Sequence, residues 1–175
     1  MLAALLFIGC DAVTAGPAGG DAAAPAGAEA PLLVINEFLA VNQSTITDDG
    51  GAWSDWIELY NPTDAAVSFL GLYLTDEDDE PLQSALPADG EIAPGGYALF
   101  WADGNPSQGD DHTTFKLSGT GELVGLYFVA EGSDPVAVDV VEYGAQVADV
   151  SAARIPDGSV AWAEATPTPG ATNGQ

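Results

Sequence analysis

Punctuation constrains this chain more than any other feature. From residue 32 onward, turn-forming clusters recur at short intervals: Asp49-Gly50-Gly51, Asn61-Pro62, Asp89-Gly90, Pro94-Gly95-Gly96, Asp103-Gly104 and Asp157-Gly158. Gly and Asn tolerate the positive φ that tight turns need, and Pro presets its own φ. Between these clusters lie short apolar or alternating runs at 32–40, 56–61, 67–75, 97–102, 113–117, 122–129, 135–143, 151–155 and 160–163. None shows apolar residues at i, i+3, i+4 and i+7 between caps, so helices are not expected. Seven to nine short strands in about 140 residues predict an all-β sandwich or barrel.

Two of the runs are apolar on both faces: Val67-Ser68-Phe69-Leu70-Gly71-Leu72-Tyr73-Leu74 and Glu122-Leu123-Val124-Gly125-Leu126-Tyr127-Phe128-Val129. An antiparallel strand with one wet face alternates cleanly. These runs are therefore expected at the centre of a sheet, with the second face covered by a loop or a partner.

Charge narrows the function. The chain has 27 Asp and Glu against 2 Lys and Arg, a net charge of −25. Phosphate binding needs clustered Lys and Arg, so nucleic acid is excluded as a direct partner, as is polybasic contact with anionic lipid. A chain that is 47% hydrophobic, with 4 Trp, 5 Tyr and 6 Phe, is not a disordered acidic tail. Its 1 Cys, Cys10, and 1 His, His112, exclude an intrachain disulfide, a Cys-based zinc site and multi-histidine chemistry. No apolar run reaches the roughly 18 residues of a spanning helix.

Residues 1–9, MLAALLFIG, form an apolar stretch that ends in a small residue before Cys10. This resembles the lipobox of bacterial lipoproteins, which implies a signal peptide over 1–9 and lipidation of Cys10. Acyl chains give membrane affinity of about 0.8 kcal/mol per buried CH₂. Residues 10–31 then comprise the Cys and an Ala/Gly/Pro-rich linker without aromatic residues, expected to act as a flexible stalk. The domain proper is expected over 32–175. The alternative is a cleaved secretory signal with Cys10 incidental.

Within the domain, a series of motifs follows in order. Val34-Ile35-Asn36-Glu37-Phe38 comes first, then Asp55-Trp56-Ile57-Glu58-Leu59-Tyr60-Asn61 and Leu70-Gly71-Leu72-Tyr73-Leu74-Thr75-Asp76. Ile92-Ala93-Pro94-Gly95-Gly96-Tyr97 and Phe115-Lys116-Leu117-Ser118 follow. The C-terminal end carries Arg154-Ile155-Pro156-Asp157-Gly158, Trp162 and Thr166-Pro167-Thr168-Pro169-Gly170-Ala171-Thr172-Asn173. This order resembles the lamin tail domain, in the form found in bacterial surface and secreted proteins. The resemblance implies an immunoglobulin-like antiparallel β-sandwich of seven to nine strands. It also implies a non-catalytic binding or structural module, with Asn36, Glu37, Asp55, Trp56, Glu58, Asn61, Arg154, Asp157 and Trp162 spent on core and turns. The tether and the domain account for the sequence, so no fused enzyme is expected.

Candidate sites follow from residue types. Asp76, Glu77, Asp78, Asp79 and Glu80 form an acidic run after a strand. Hard oxygen ligands in loops suit Ca²⁺, which makes Asp76, Asp78, Asp79 and Glu80 the candidate metal ligands. Their spacing matches no EF-hand loop, and a solvated acidic surface is the plainer reading. No other cofactor and no catalytic residue is expected. Glu37, Asp55 and Glu58 could in principle pair as acid and base, but accepting backbone N–H groups is the commoner role. Trp53, in a Gly-rich loop, is the best candidate for stacking on a sugar ring. His112 is expected on a surface loop. Lys116 and Arg154 are the only cations, so each is expected to be paired, with Arg154 bracing the C-terminal strand. The expected partners are the membrane, through an N-terminal lipid, and an envelope protein or polysaccharide. An adhesin that binds carbohydrate or acts with Ca²⁺ is the alternative.

Overall fold

A computed structural model describes residues 23–174. Among them the regular structure is all strand: β1 (Val34–Leu39), β2 (Trp56–Tyr60), β3 (Val67–Ser68), β4 (Leu72–Thr75), β5 (Ser84–Ala85), β6 (Glu91–Ile92), β7 (Tyr97–Trp101), β8 (Glu122–Phe128), β9 (Val136–Tyr143), β10 (Ser151–Arg154) and β11 (Trp162–Ala165). A five-stranded sheet runs β11-β10-β1-β2-β7 and a four-stranded sheet runs β5-β4-β8-β9. β3 and β6 form a separate ribbon. All paired strands are antiparallel.

The two sheets pack face to face as a sandwich. Strand alternation puts Ile35, Phe38, Ile57, Leu59 and Phe100 of the first sheet against Leu72, Leu74, Val124, Leu126 and Phe128 of the second, in one buried core. Phe69 and Phe100 meet edge to face at 5.6 Å within it.

The doubly apolar runs do sit centrally: β4 and β8 are the inner strands of the four-stranded sheet. Their second face is closed partly by their own side chains. A Cβ on Gly125 would lie 2.7 Å from the Tyr127 ring, so the ring rests on the bare glycine. The Tyr127 hydroxyl reaches the acidic loop, donating to Asp78 Oδ1 at 3.2 Å.

Three features depart from the sequence reading. The run 67–75 is not one strand, because Gly71 takes φ +80° and turns the chain between β3 and β4. A Cβ there would meet Val129 O at 2.6 Å and Ala24 N at 2.8 Å. The run 113–117 is not a strand either: it touches its neighbour through the isolated bridge between Asp103 and Lys116. Phe115 and Leu117 nonetheless enter the core, which accounts for their alternation. Finally, Ala24 lies inside the segment read as linker, yet it is buried and bonded, donating to Val129 O at 3.1 Å and accepting from Glu131 N at 2.7 Å. Its small side chain fits where Gly71 leaves room, so packing begins upstream of residue 32. Cys10 and residues 1–9 lie outside the described residues.

Candidate functional site

The densest chemistry lies on the outer face of the five-stranded sheet. β1 slips its register against β2 between Ile35 and Glu37. One extra residue in a strand is a β-bulge, and bulges re-aim side chains. Asn36 is the extra residue here. With Ile35 and Phe38 committed to the core, Asn36 and Glu37 face Glu58 across β2. Asn36, Glu37 and Glu58 are all fully buried.

Their cover is the C-terminal segment. Glu37 accepts hydrogen bonds from the Ser151 hydroxyl, from Thr168 N at 3.1 Å and from Thr168 Oγ1 at 3.1 Å. Glu58 Oε2 accepts from Gly170 N at 2.6 Å. Asn173 Nδ2 donates to Asn36 O at 3.1 Å and to Arg154 O at 2.9 Å. Asp157 Oδ1 accepts from Asn36 Nδ2 and Asn173 N, both at 3.0 Å, while its Oδ2 accepts from Tyr97 at 2.7 Å. Asn36 Oδ1 in turn accepts from Gly158 N at 3.0 Å.

Burial raises the pKa of Glu58 to about 7, against the opposing pull of the Gly170 and Asn36 donors. Burial also raises Glu37, against the Ser151 and Thr168 donors. Tyr97 is pushed up to about 12 by burial. Raised carboxyls mark many active sites. Here, however, the carboxylate oxygens hold down the chain's own C-terminal segment.

A clasp at the end of the β1–β10 ladder completes the region. Arg154 Nε donates to Ile35 O at 2.8 Å, while Asp139 Oδ2 accepts from Ile35 N at 2.9 Å. Arg154 Nη2 pairs with Asp139 Oδ2 at 2.8 Å. Together the two side chains satisfy the backbone of Ile35, where the β10 ladder has ended. The guanidinium also lies over Trp162, 4.6 Å from the ring centroid. Arg154 thus ties β10 to β1 and to β9 of the opposite sheet.

The remaining candidates are dispersed. Asp55 accepts from Asn42 N at 2.8 Å, and burial raises its pKa. Asn61 Nδ2 donates to Ala65 O at 2.7 Å and Ile92 O at 3.0 Å, pinning a turn. Trp56 is fully buried beside Leu39 and Trp101. Trp162 is half-buried under Arg154 and against Phe38. Trp53 is 49% exposed. In the acidic run, Glu77, Asp78, Asp79 and Glu80 are exposed. Asp76, Glu77 and Asp78 line an open depression of about 530 Å³ with Glu122, Glu142 and Tyr143. Asp76 Oδ1 is buried there without a hydrogen-bond partner.

His112 corrects the sequence reading. It is 5% exposed, not a surface residue. The bonds Trp101 N to Asp111 O and Thr113 N to Trp101 O, both 2.8 Å, stitch its segment to the end of β7. They turn the ring inward beside Trp101 and toward Asp103, whose Oδ2 is 2.9 Å from Nδ1. Asp139 was not singled out in the sequence, and Thr168 and Gly170 stood there only as residues of the C-terminal motif, not as donors to Glu37 and Glu58. The one available signal was the scarcity of cations, which pointed to a partner for each: Arg154 pairs with Asp139, whereas the described ion pairs do not include Lys116.

One family model matches: Lamin Tail Domain, over residues 27–145. No curated protein and no solved structure matches the chain. The chain belongs to the lamin tail domain family, whose members are immunoglobulin-like, non-enzymatic modules. The match ends before β10, although β10 and β11 continue the same sheet as β1 and β2.

Proposed function

We propose that this lamin tail domain is a non-catalytic binding or structural module displayed on the bacterial cell envelope as a lipoprotein, anchored through Cys10. The order of segments carries this reading: an apolar leader, a small residue then Cys10, an Ala/Gly/Pro-rich spacer, and an acidic domain. The buried carboxylates support the non-catalytic part, since their oxygens are engaged by Ser151, Thr168 and Gly170. A net charge of −25 repels phosphate-rich surfaces. The partner is therefore an envelope protein or polysaccharide rather than a nucleic acid. The test is intact mass of the protein from the membrane fraction of its native host, before and after Cys10→Ser. Acyl mass on Cys10 that disappears on substitution is expected. A lipid-free mature chain in the medium would replace anchoring with secretion.

A second reading, a secreted or anchored adhesin that binds carbohydrate or acts with Ca²⁺, draws on exposed Trp53 and on the acidic depression beside Asp76 and Asp78. Calorimetry at millimolar Ca²⁺ decides its metal half. Absence of both heat and a melting shift would remove it.

A further inference from the structure

We propose that Asp48, Asp103 and His112 form a binding site for a divalent transition-metal ion, with Zn²⁺ the ion that best suits one imidazole and two carboxylates. Each residue offers one ligand atom, and the three atoms lie within 4.8 Å of one another. His112 Nδ1 and Asp103 Oδ2 are 2.9 Å apart. Two ligands sharing a tetrahedral Zn²⁺ at about 2.0–2.1 Å lie about 3.3 Å from each other, so the His112–Asp103 pair is already close to that spacing and Asp48 completes the set by closing on it. Zn²⁺ accepts such mixed nitrogen and oxygen donors, whereas Ca²⁺ takes oxygen ligands in larger number.

The frame is rigid. Asp48 heads a tight loop closed by Asp48 N to Ala52 O at 2.9 Å and Gly51 N to Asp48 O at 3.0 Å. Its carboxylate is oriented by Ala52 N at 2.9 Å and the Ser54 hydroxyl at 2.7 Å. Asp103 is oriented by Asn105 N at 2.9 Å. Supported ligands of this kind are what a metal site needs. The other imidazole nitrogen, Nε2, lies 4.0 Å from Asp111 Oδ1, beyond hydrogen-bond distance.

Charge is the independent observation. Asp48 is 5% exposed, and the His112 and Asp103 side chains are 1% and 13% exposed. Among the described residues, the ion pairs are those of His112 with Asp103 and Asp111 and that of Arg154 with Asp139. No Lys or Arg therefore pairs with Asp48 or Asp103. Charges taken out of water are normally paired or bound to a metal. Here a single imidazole stands against two such carboxylates, Asp48 and Asp103.

The test uses the untagged full chain, in which His112 is the only histidine and its ring resonances identify themselves. Zn²⁺ is titrated while those resonances and the binding heat are followed. A saturable one-to-one change at His112 is expected, with no such change from Ca²⁺. Asp103→Asn, at the partly exposed ligand, is expected to weaken Zn²⁺ at least about tenfold, with folding checked by circular dichroism. Zn²⁺ uptake that leaves His112 unmoved places the ion elsewhere and overturns the site. So does absence of uptake at millimolar Zn²⁺. An equal response to Ca²⁺ overturns the transition-metal assignment. None of these outcomes depends on how the chain is anchored.

Discussion

Two neighbouring cross-strand pairs on one sheet face solve the same problem in opposite ways. Leu39 lies opposite Trp56 and, on the same two strands, Glu37 lies opposite Glu58. All four residues are fully buried. The first pair is covered without direction, by Trp101, Ile46 and Leu99 packed around it. The second is covered by placed donors from Ser151, Thr168 and Gly170. Apolar cover asks only for shape and area. Carboxylate cover asks for a donor at each oxygen, because an unpaired buried acceptor costs about 1–3 kcal/mol. The apolar end is not free of that cost, since Trp56 Nε1 is buried without a hydrogen-bond partner.

The largest expected effect comes from emptying the apolar end. Trp56→Ala should lower stability by about 3–5 kcal/mol through cavity formation, read by urea denaturation at fixed pH. Trp56→Phe should lower it by less than about 1.5 kcal/mol, because the orphan N–H leaves with the indole. A loss from Trp56→Phe as large as that from Trp56→Ala would show that the ring left by Phe fills none of the cavity.

Next comes the clasp beside the polar end. Arg154→Ala should lower stability by about 3 kcal/mol. The loss strands Asp139 and uncaps Ile35 O, both bonded to Arg154. An unchanged melting temperature would refute the clasp.

The third prediction separates the two pairs by pH. Glu58 has a folded pKa of about 7 against an ordinary value of 4.5. The folded state therefore holds this proton more tightly than the unfolded chain. Its contribution is present below pH 4.5 and is lost as pH rises through about 7. The full span is up to about 3 kcal/mol. Stability should fall between these limits in the wild type and fall less in Glu58→Gln, whose side-chain oxygen still accepts from Gly170. Identical pH slopes in thermal melts of the two proteins would contradict this. Trp56→Phe should leave the slope unchanged.

The smallest effect is expected in the acidic run, where water does the covering. Asp79→Asn should change stability by less than about 0.5 kcal/mol. A larger change in denaturation midpoint would mean that the run is engaged by something beyond solvent.

How far these features were legible depends on range. The turn clusters and alternation of residues such as Trp56, Glu58 and Leu59 are local, and the strand built from them is where the pattern put it. Gly71 was visible as a glycine in an apolar run, but its left-handed φ is set by the approach of Val129 and Ala24. The short strands β5 and β6 carry too few residues for a period to show. Asn36, Glu37, Glu58 and Asp157 were visible as motif residues. Their convergence was not, because the bulge and the C-terminal cover bring them together only in space. His112 stood beside Asp110 and Asp111 in a polar stretch and read as surface. The backbone bonds to Trp101 bury it.

The sequence by itself determined the fold class, the family motifs and the acidic balance of the chain. These rest on turn chemistry, a two-residue period and net charge, all properties of short windows or of simple sums. Tertiary structure alone decided which acids lose their water. Glu37 meets Thr168 across a sequence separation of 131, and Glu58 meets Gly170 across 112. Desolvation depends on everything within a few ångströms, whatever its distance along the chain. Asp79 and Glu58 are therefore the same chemistry in sequence and opposite cases in the fold.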